Sequence, residues 1–246
     1  MLTEGENTLE IDNKWPEIAI FQTKKYRNAR FEAHNALFWM ARASHSFLDP
    51  TLENSHLSLF WNEDHCDFRT RLLVDGCQIG LHLPDLELYF CDHGEKVPHS
   101  FWLDDRTPAF VEAWYLVELL HRGIEQEKFS TALPFESPDM LMGDTEDHNA
   151  SLFKTELTAM SECLIGAINI LKIVADQLTR HKNFVNNPGQ ITLEPQSFTL
   201  MTRADLSTSH DKTVLVGFRV SCRLYPLSIF KNFSKRFHQT PRSGHV

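Results

Sequence analysis

Gln78-Ile-Gly-Leu-His-Leu-Pro-Asp-Leu-Glu-Leu-Tyr-Phe90 alternates apolar with polar or small side chains on both sides of a Pro84-Asp85 turn. A period of two sends successive side chains to opposite faces, so this stretch predicts two short antiparallel strands with one apolar face. Upstream, Asp75-Gly76 is a hairpin signal joining the first of them to an extended Asp67–Val74. Asn62–His65 forms a further turn, and His56-Leu-Ser-Leu-Phe-Trp61 alternates again. Downstream, Asp92-His93-Gly94 ends the pattern. Residues 54–91 therefore read as a meander of about four antiparallel strands.

Three helical patterns flank strand-like segments. Lys24–Leu48 carries Ala29, Ala33, Leu37, Met40 and Phe47 on one stripe and stops at Asp49-Pro50. Its second face holds Arg27, Phe31, His34, Phe38, Arg42 and His45, read as a solvated face with two covered rings in preference to a cationic pocket wall. Thr107–Gly123 opens on Thr107-Pro108, closes on Gly123, and is apolar nearly all round. Such a helix is expected to be core, covered on several sides. The longest pattern, Ala150–Lys182, sets Phe153, Leu157, Met160, Leu164, Ile168, Leu171, Val174 and Leu178 on one stripe of a rod roughly 45 Å long. Asn186-Asn187-Pro188-Gly189 ends it, Gly166 within it reads as a close-packing position, and strands return at Gln190–Glu194, Ser197–Arg203, Thr213–Val220 and Arg223–Phe230.

The order predicts an α+β fold of antiparallel β-meanders on three helices, a single domain over 15–230 after a flexible lead-in at 1–13. Asp67-Phe68-Arg-Thr70-Arg71 echoes Ser197-Phe198-Thr-Leu-Met-Thr202-Arg203, which raises the option of two related helix-plus-sheet halves, about 15–135 and 147–230. Residues 231–246 form a basic tail in which Phe230, Phe233 and Phe237 would share one face of a final helical turn.

Of the 246 residues, 42% are apolar and 23% charged, as in an ordinary globular chain. The net charge of −9 argues against nucleic acid as the main partner. No unbroken run of 18 apolar residues suggests a membrane span, and the first residues lack the basic and apolar regions of a signal peptide, so a cytoplasmic location is expected. Five cysteines, odd in number and without Cys-x-x-Cys spacing, suggest neither a disulfide framework nor a structural zinc site.

Several stretches, in the same order, resemble an uncharacterised family known only as a domain of unknown function. They are Trp15-Pro16, Asn54-Ser-His56, Ile79–Leu88, Phe110–Ile124, Pro134-Phe135, Asp144-Thr145-Glu146-Asp147-His148, Ser197–Arg203, Gly217-Phe218 and Tyr225-Pro226. The chain departs from that pattern in Thr199 where the family has an acid, and in Ala204-Asp205-Leu206 where it has a Gly-rich turn. The resemblance implies a compact α+β fold and no particular activity.

Chemistry concentrates at Asp144–His148, at the start of the long helix. Acids there satisfy a helix N-terminus by capping and by the dipole, the simplest reading; neighbouring carboxylates and an imidazole could instead ligate a metal or exchange protons. His56, His148 and Arg203 lie in the family-like motifs, and around one cavity they would suit an anionic small molecule. The ligand-binding candidates are accordingly His56, Asp147, His148 and Arg203. Asp64-His65-Cys66-Asp67 and Cys91-Asp92-His93 form a mixed metal site only if they converge. There is no Gly-x-Ser-x-Gly, phosphate loop or His-Glu-x-x-His. A non-catalytic small-molecule-binding or protein-interaction domain, without an assigned cofactor, is the leading expectation. A metal-assisted hydrolase or isomerase using Asp144, Asp147 and His148 is the alternative, and a homodimer through the long helix a third option.

Overall fold

The computed structural model describes residues 15–137, 140–144, 146–180, 184–185, 191–206, 212–219 and 229–235. The chain forms helices α1 (Lys24–Phe47), α2 (Pro108–His121) and α3 (Lys154–Arg180). Its strands are β1 (Leu59–Asn62), β2 (Asp67–Arg69), β3 (Cys77–His82), β4 (Glu87–Asp92), β5 (Glu95–Lys96) and β6 (Phe101–Trp102) in the first part. The second part adds β7 (Phe184–Val185), β8 (Ile191–Glu194), β9 (Thr199–Leu206), β10 (Lys212–Arg219) and β11 (Ile229–Lys235). The fold is α+β: one antiparallel sheet runs β11-β10-β9-β8-β1-β2-β3-β4-β5, with β6 pairing β4 and β7 pairing β9.

Alternation decides which strand residues meet the helices. Leu59, Phe68, Ile79, Leu81, Leu88, Phe90, Leu193 and Leu200 share one core with the α1 stripe Ala29-Ala33-Leu37-Met40 and the α3 stripe Leu157-Met160-Leu164-Ile168-Leu171. Thr23 caps α1 by accepting from the Tyr26 amide, and Thr107 caps α2 by accepting from Phe110. One helical stretch among the described residues, Ala150–Gln177, is long and apolar enough to cross a membrane, yet more than half of it is buried inside the molecule. It touches α1, β8 and β9 and is the core helix its periodicity predicted. Gly166 on it is a close-packing position: a Cβ there would lie 2.9 Å from the Trp15 ring.

The strand order runs outward from a central pair, β8 to β11 on one side and β1 to β5 on the other. β1 and β8 lie side by side at the centre, Leu59 opposite Leu193, and each half then steps outward strand by strand. Asn62 pairs with Asp67 across the first turn and Glu194 with Thr199 across the second. Both turns hold four residues, and in each the fourth residue is left-handed, with φ 51° at Cys66 and at Phe198. Counting outward in register, Thr70 falls on Thr202, both buried, and Arg71 on Arg203. Phe68 thereby matches Leu200 and not Phe198, which shifts the sequence echo by two residues. One strand further out, Gly80 lies between Arg69 and Tyr89, as Gly217 lies between Met201 and Phe230. A Cβ at Gly80 would overlap the Tyr89 ring, so that position admits only glycine without a shift.

Four expectations change. The second face of α1 is buried from His34 through Arg42 instead of solvated. His56 sits in a 3-10 turn, Leu52–Leu57, entered through left-handed Glu53 and Asn54, so the first strand begins later than the alternation suggested. Residues 229–235 form strand β11 and not a helical turn, because their backbone pairs with β10 from Phe218 to Lys212. Helix α2 buries Val111, Tyr115 and Leu119 on one side only. The terminator at Asn186–Gly189, Thr145 and most of Arg223–Phe230 lie outside the described residues.

Candidate functional site

Between α2 and α3 the chain runs back along α1 as a strap, and this strap occupies the face expected to be solvated. The Ser130 amide donates to Ser46 Oγ at 2.9 Å, and Arg42 Nε donates to the Thr131 carbonyl at 3.0 Å. Phe135 packs on Phe38, the Leu141 amide donates to Asn35 Oδ1 at 2.8 Å, and His148 Nδ1 meets Glu32 Oε2 at 2.8 Å. The α1 partners, at 46, 42, 38, 35 and 32, are spaced by three and four residues, one stripe of a helix read antiparallel to the strap. Arg42 also lies over the Trp39 ring at 4.2 Å, and burial pushes its guanidinium down to about 10.

This explains where the sequence candidates fall. His148 is fully buried and held by Glu32, and its backbone pairs with Asp105 and Arg106; its Nε2 has no partner among the described residues. Asp144 and Asp147, beside it in sequence, are exposed. The long helix is not capped by them: the Ser151 amide at its start is taken by Asp104 Oδ1 at 2.7 Å. His56 is buried at the other end of α1, its Nε2 facing His45 Nδ1 at 3.4 Å and its Nδ1 accepting from the Thr51 amide. Glu32 and His45 are 13 positions apart on α1, about 20 Å at 1.5 Å per residue, so His148 and His56 do not share a cavity. Arg203 is placed in β9 opposite Leu215, and its side chain lies outside the described residues.

Among the described residues no group of three or more His, Cys, Asp or Glu is gathered to hold an ion. The two Cys/His patches separate: Cys66 is exposed in a turn, whereas Cys91 is buried in β4. Burial pushes the thiols up, to about 12 at Cys77 and about 11 at Cys91 and Cys163. Cys222 lies outside the described residues.

Polar groups also line the strand face turned away from the helix core. Asp67 is buried and receives both the Tyr89 hydroxyl and Arg69, whose Nε lies 3.1 Å from Oδ1 and whose Nη1 donates to the Gly94 carbonyl. Burial holds the Asp67 carboxyl above its ordinary range, against the pull of Arg69. Ser58 Oγ donates to Glu194 Oε1 at 2.5 Å, and burial raises that carboxyl as well. At His56, burial first and then the nearby His45 and Arg71 depress the imidazole. The Asp67 and Glu194 groups are paired within the sheet, whereas His56 pairs with α1 and Thr51.

Two depressions border α3. An open trough of about 680 Å³ runs between Pro16–Thr23 and Lys154–Glu162, and a smaller hollow of about 260 Å³ lies among Pro84, Trp102, Asp104, Ser151 and Lys154. In the second, Lys154 is already ion-paired with Asp85.

The least expected surface is the outer side of α2. Phe110, Val117 and Leu120 are 57%, 48% and 61% exposed, and Ala113 between them is exposed too. Their spacing of three, four and three residues makes a continuous apolar stripe. Met142, 68% exposed, adjoins it through the Ala109 amide bond to the Gly143 carbonyl. The sequence signal for this face was the all-round apolarity of the helix, which reports a demand for cover without saying that the same chain supplies it. Comparisons with protein-family models, with curated proteins and with solved structures found no match.

Proposed function

We propose that this chain is a non-catalytic protein-interaction domain that engages its partner through the outer face of α2. The observation carrying the reading is the exposed stripe Phe110-Ala113-Val117-Leu120 with Met142. Large apolar side chains in a contiguous exposed patch mark a contact surface more often than scattered single ones do. The candidate residues of the alternative, a metal-assisted hydrolase or isomerase, are arranged less favourably for it: Asp144 and Asp147 are exposed while His148 is fully buried with its Nδ1 on Glu32.

A photo-cross-linkable residue at Val117 tests the reading inside cells. A discrete adduct is expected, lost when Leu120→Glu is added and not formed from the same probe at exposed Glu63. Equal adduct patterns from Val117 and Glu63 would remove the basis for the assignment.

A further inference from the structure

We infer that the occupant of the α2 face is a basic amphipathic helix from a partner protein. This rests on the interaction reading above and adds the chemistry of the partner. The stripe from Phe110 to Leu120 covers three turns, about 15 Å, which accepts the i, i+3, i+7 anchors of a helix laid alongside it. Its rim is acidic. At the α2 N-terminus the strap returns beside residues 105–109 and presents exposed Asp144, Glu146 and Asp147 next to exposed Asp105, with Arg106 over the Phe110 ring as the local counter-charge. At the far end Glu125 and Glu127 are exposed, and Lys128 is engaged by Glu125 at 2.9 Å.

That rim argues against a second copy of the chain. Two α2 faces packed parallel would bring Asp105, Asp144 and Asp147 against themselves, and packed antiparallel would bring them against Glu125 and Glu127. Each copy carries a net charge of −9, so either arrangement opposes like charges. A helix with a Leu face bordered by Lys or Arg meets both the apolar stripe and the acids, and no ion pair within the chain must break to admit it at the strap end: Asp105, Asp144, Glu146 and Asp147 form no ion pair among the described residues.

The test uses two fluorescein-labelled helical peptides of about 15 residues with the same Leu face, one bordered by Lys and one by Glu, titrated with the full chain and followed by anisotropy. The Lys peptide should bind at least about tenfold more tightly than the Glu peptide, and Leu120→Glu should weaken it by a similar factor. Asp144→Asn with Asp147→Asn should weaken it several-fold and flatten its salt dependence. Equal binding of both peptides, abolished by Leu120→Glu, would leave the interaction face standing and overturn the basic partner. Binding of the Lys peptide unchanged by Leu120→Glu would overturn both. A concentration-dependent dimer in light scattering that Leu120→Glu dissolves would replace the partner helix with a second copy. Far-UV circular dichroism of each variant confirms that it is folded.

Discussion

Gly80 shows how much one missing Cβ decides. Its neighbour across β3 and β4 is Tyr89, whose hydroxyl crosses over to Asp67, and that crossing is open because nothing projects from Gly80. Gly80→Ala is therefore expected to lower stability by about 1–3 kcal/mol in urea denaturation, the usual effect of overpacking. An unchanged midpoint would mean that Tyr89 has another rotamer available. His56 makes a prediction of opposite character. Its folded-state affinity for protons is depressed below the ordinary value near 6.5, so the unfolded chain binds more protons as pH falls. The contribution is complete above that pH and is lost as acid protonates the buried ring. Melting temperature should thus fall below about pH 6.5, and His56→Gln should flatten that part of the profile. A profile identical to wild type in that variant would show that another group is responsible. Asp67 has the reverse sign: with its carboxyl raised by burial, its contribution is present at low pH and lost as pH rises through its folded value.

Among the elements, the strap and α2 separate what sequence could disclose from what it could not. Periodicity identified all three helices and the meander, because apolar spacing is written directly into side chains. The strap escaped it. Three of its five attachments use strap backbone groups, the Ser130 and Leu141 amides and the Thr131 carbonyl, which every residue possesses and no pattern marks. Arg42 consequently looked like a solvated residue of a helix face while serving as a partner for distant backbone. His148 was singled out for its neighbours in sequence, yet its role is set by Glu32, 116 residues away. Removing one member of such a buried hydrogen-bonded pair leaves the other unsatisfied, so Glu32→Ala should cost about 1–3 kcal/mol. The same variant should quicken proteolysis within the strap ahead of global unfolding; cleavage that tracks only the global transition would show that the strap does not open alone.

At the level of the whole molecule, the strand order puts the β1–β8 joint in the middle of a continuous ladder, with Leu59 and Leu193 fully buried on either side of it. Among the described residues α1 and α3 touch each other and contribute to a single apolar cluster. Heat should accordingly unfold the described fold in one step, with calorimetric and van't Hoff enthalpies in a ratio of about 1. Two resolved transitions would show that the halves melt separately despite the shared ladder. The echo between the two stretches was faintly visible in the sequence through Thr-Arg. The register aligns two turns whose residues, Glu63-Asp-His-Cys66 and Pro195-Gln-Ser-Phe198, have nothing in common but their backbone shape.

The distribution of thiols gives the molecule a built-in chronometer. Cys77 and Cys91 are sealed in the sheet and Cys163 in α3, each far from its reactive thiolate form, while Cys66 stands in the open. An alkylating reagent would mark Cys66 at once and reach Cys77, Cys91 and Cys163 only during excursions that bare them. Mass-resolved labelling would then time the exposure of strands and helix independently, without any engineered reporter.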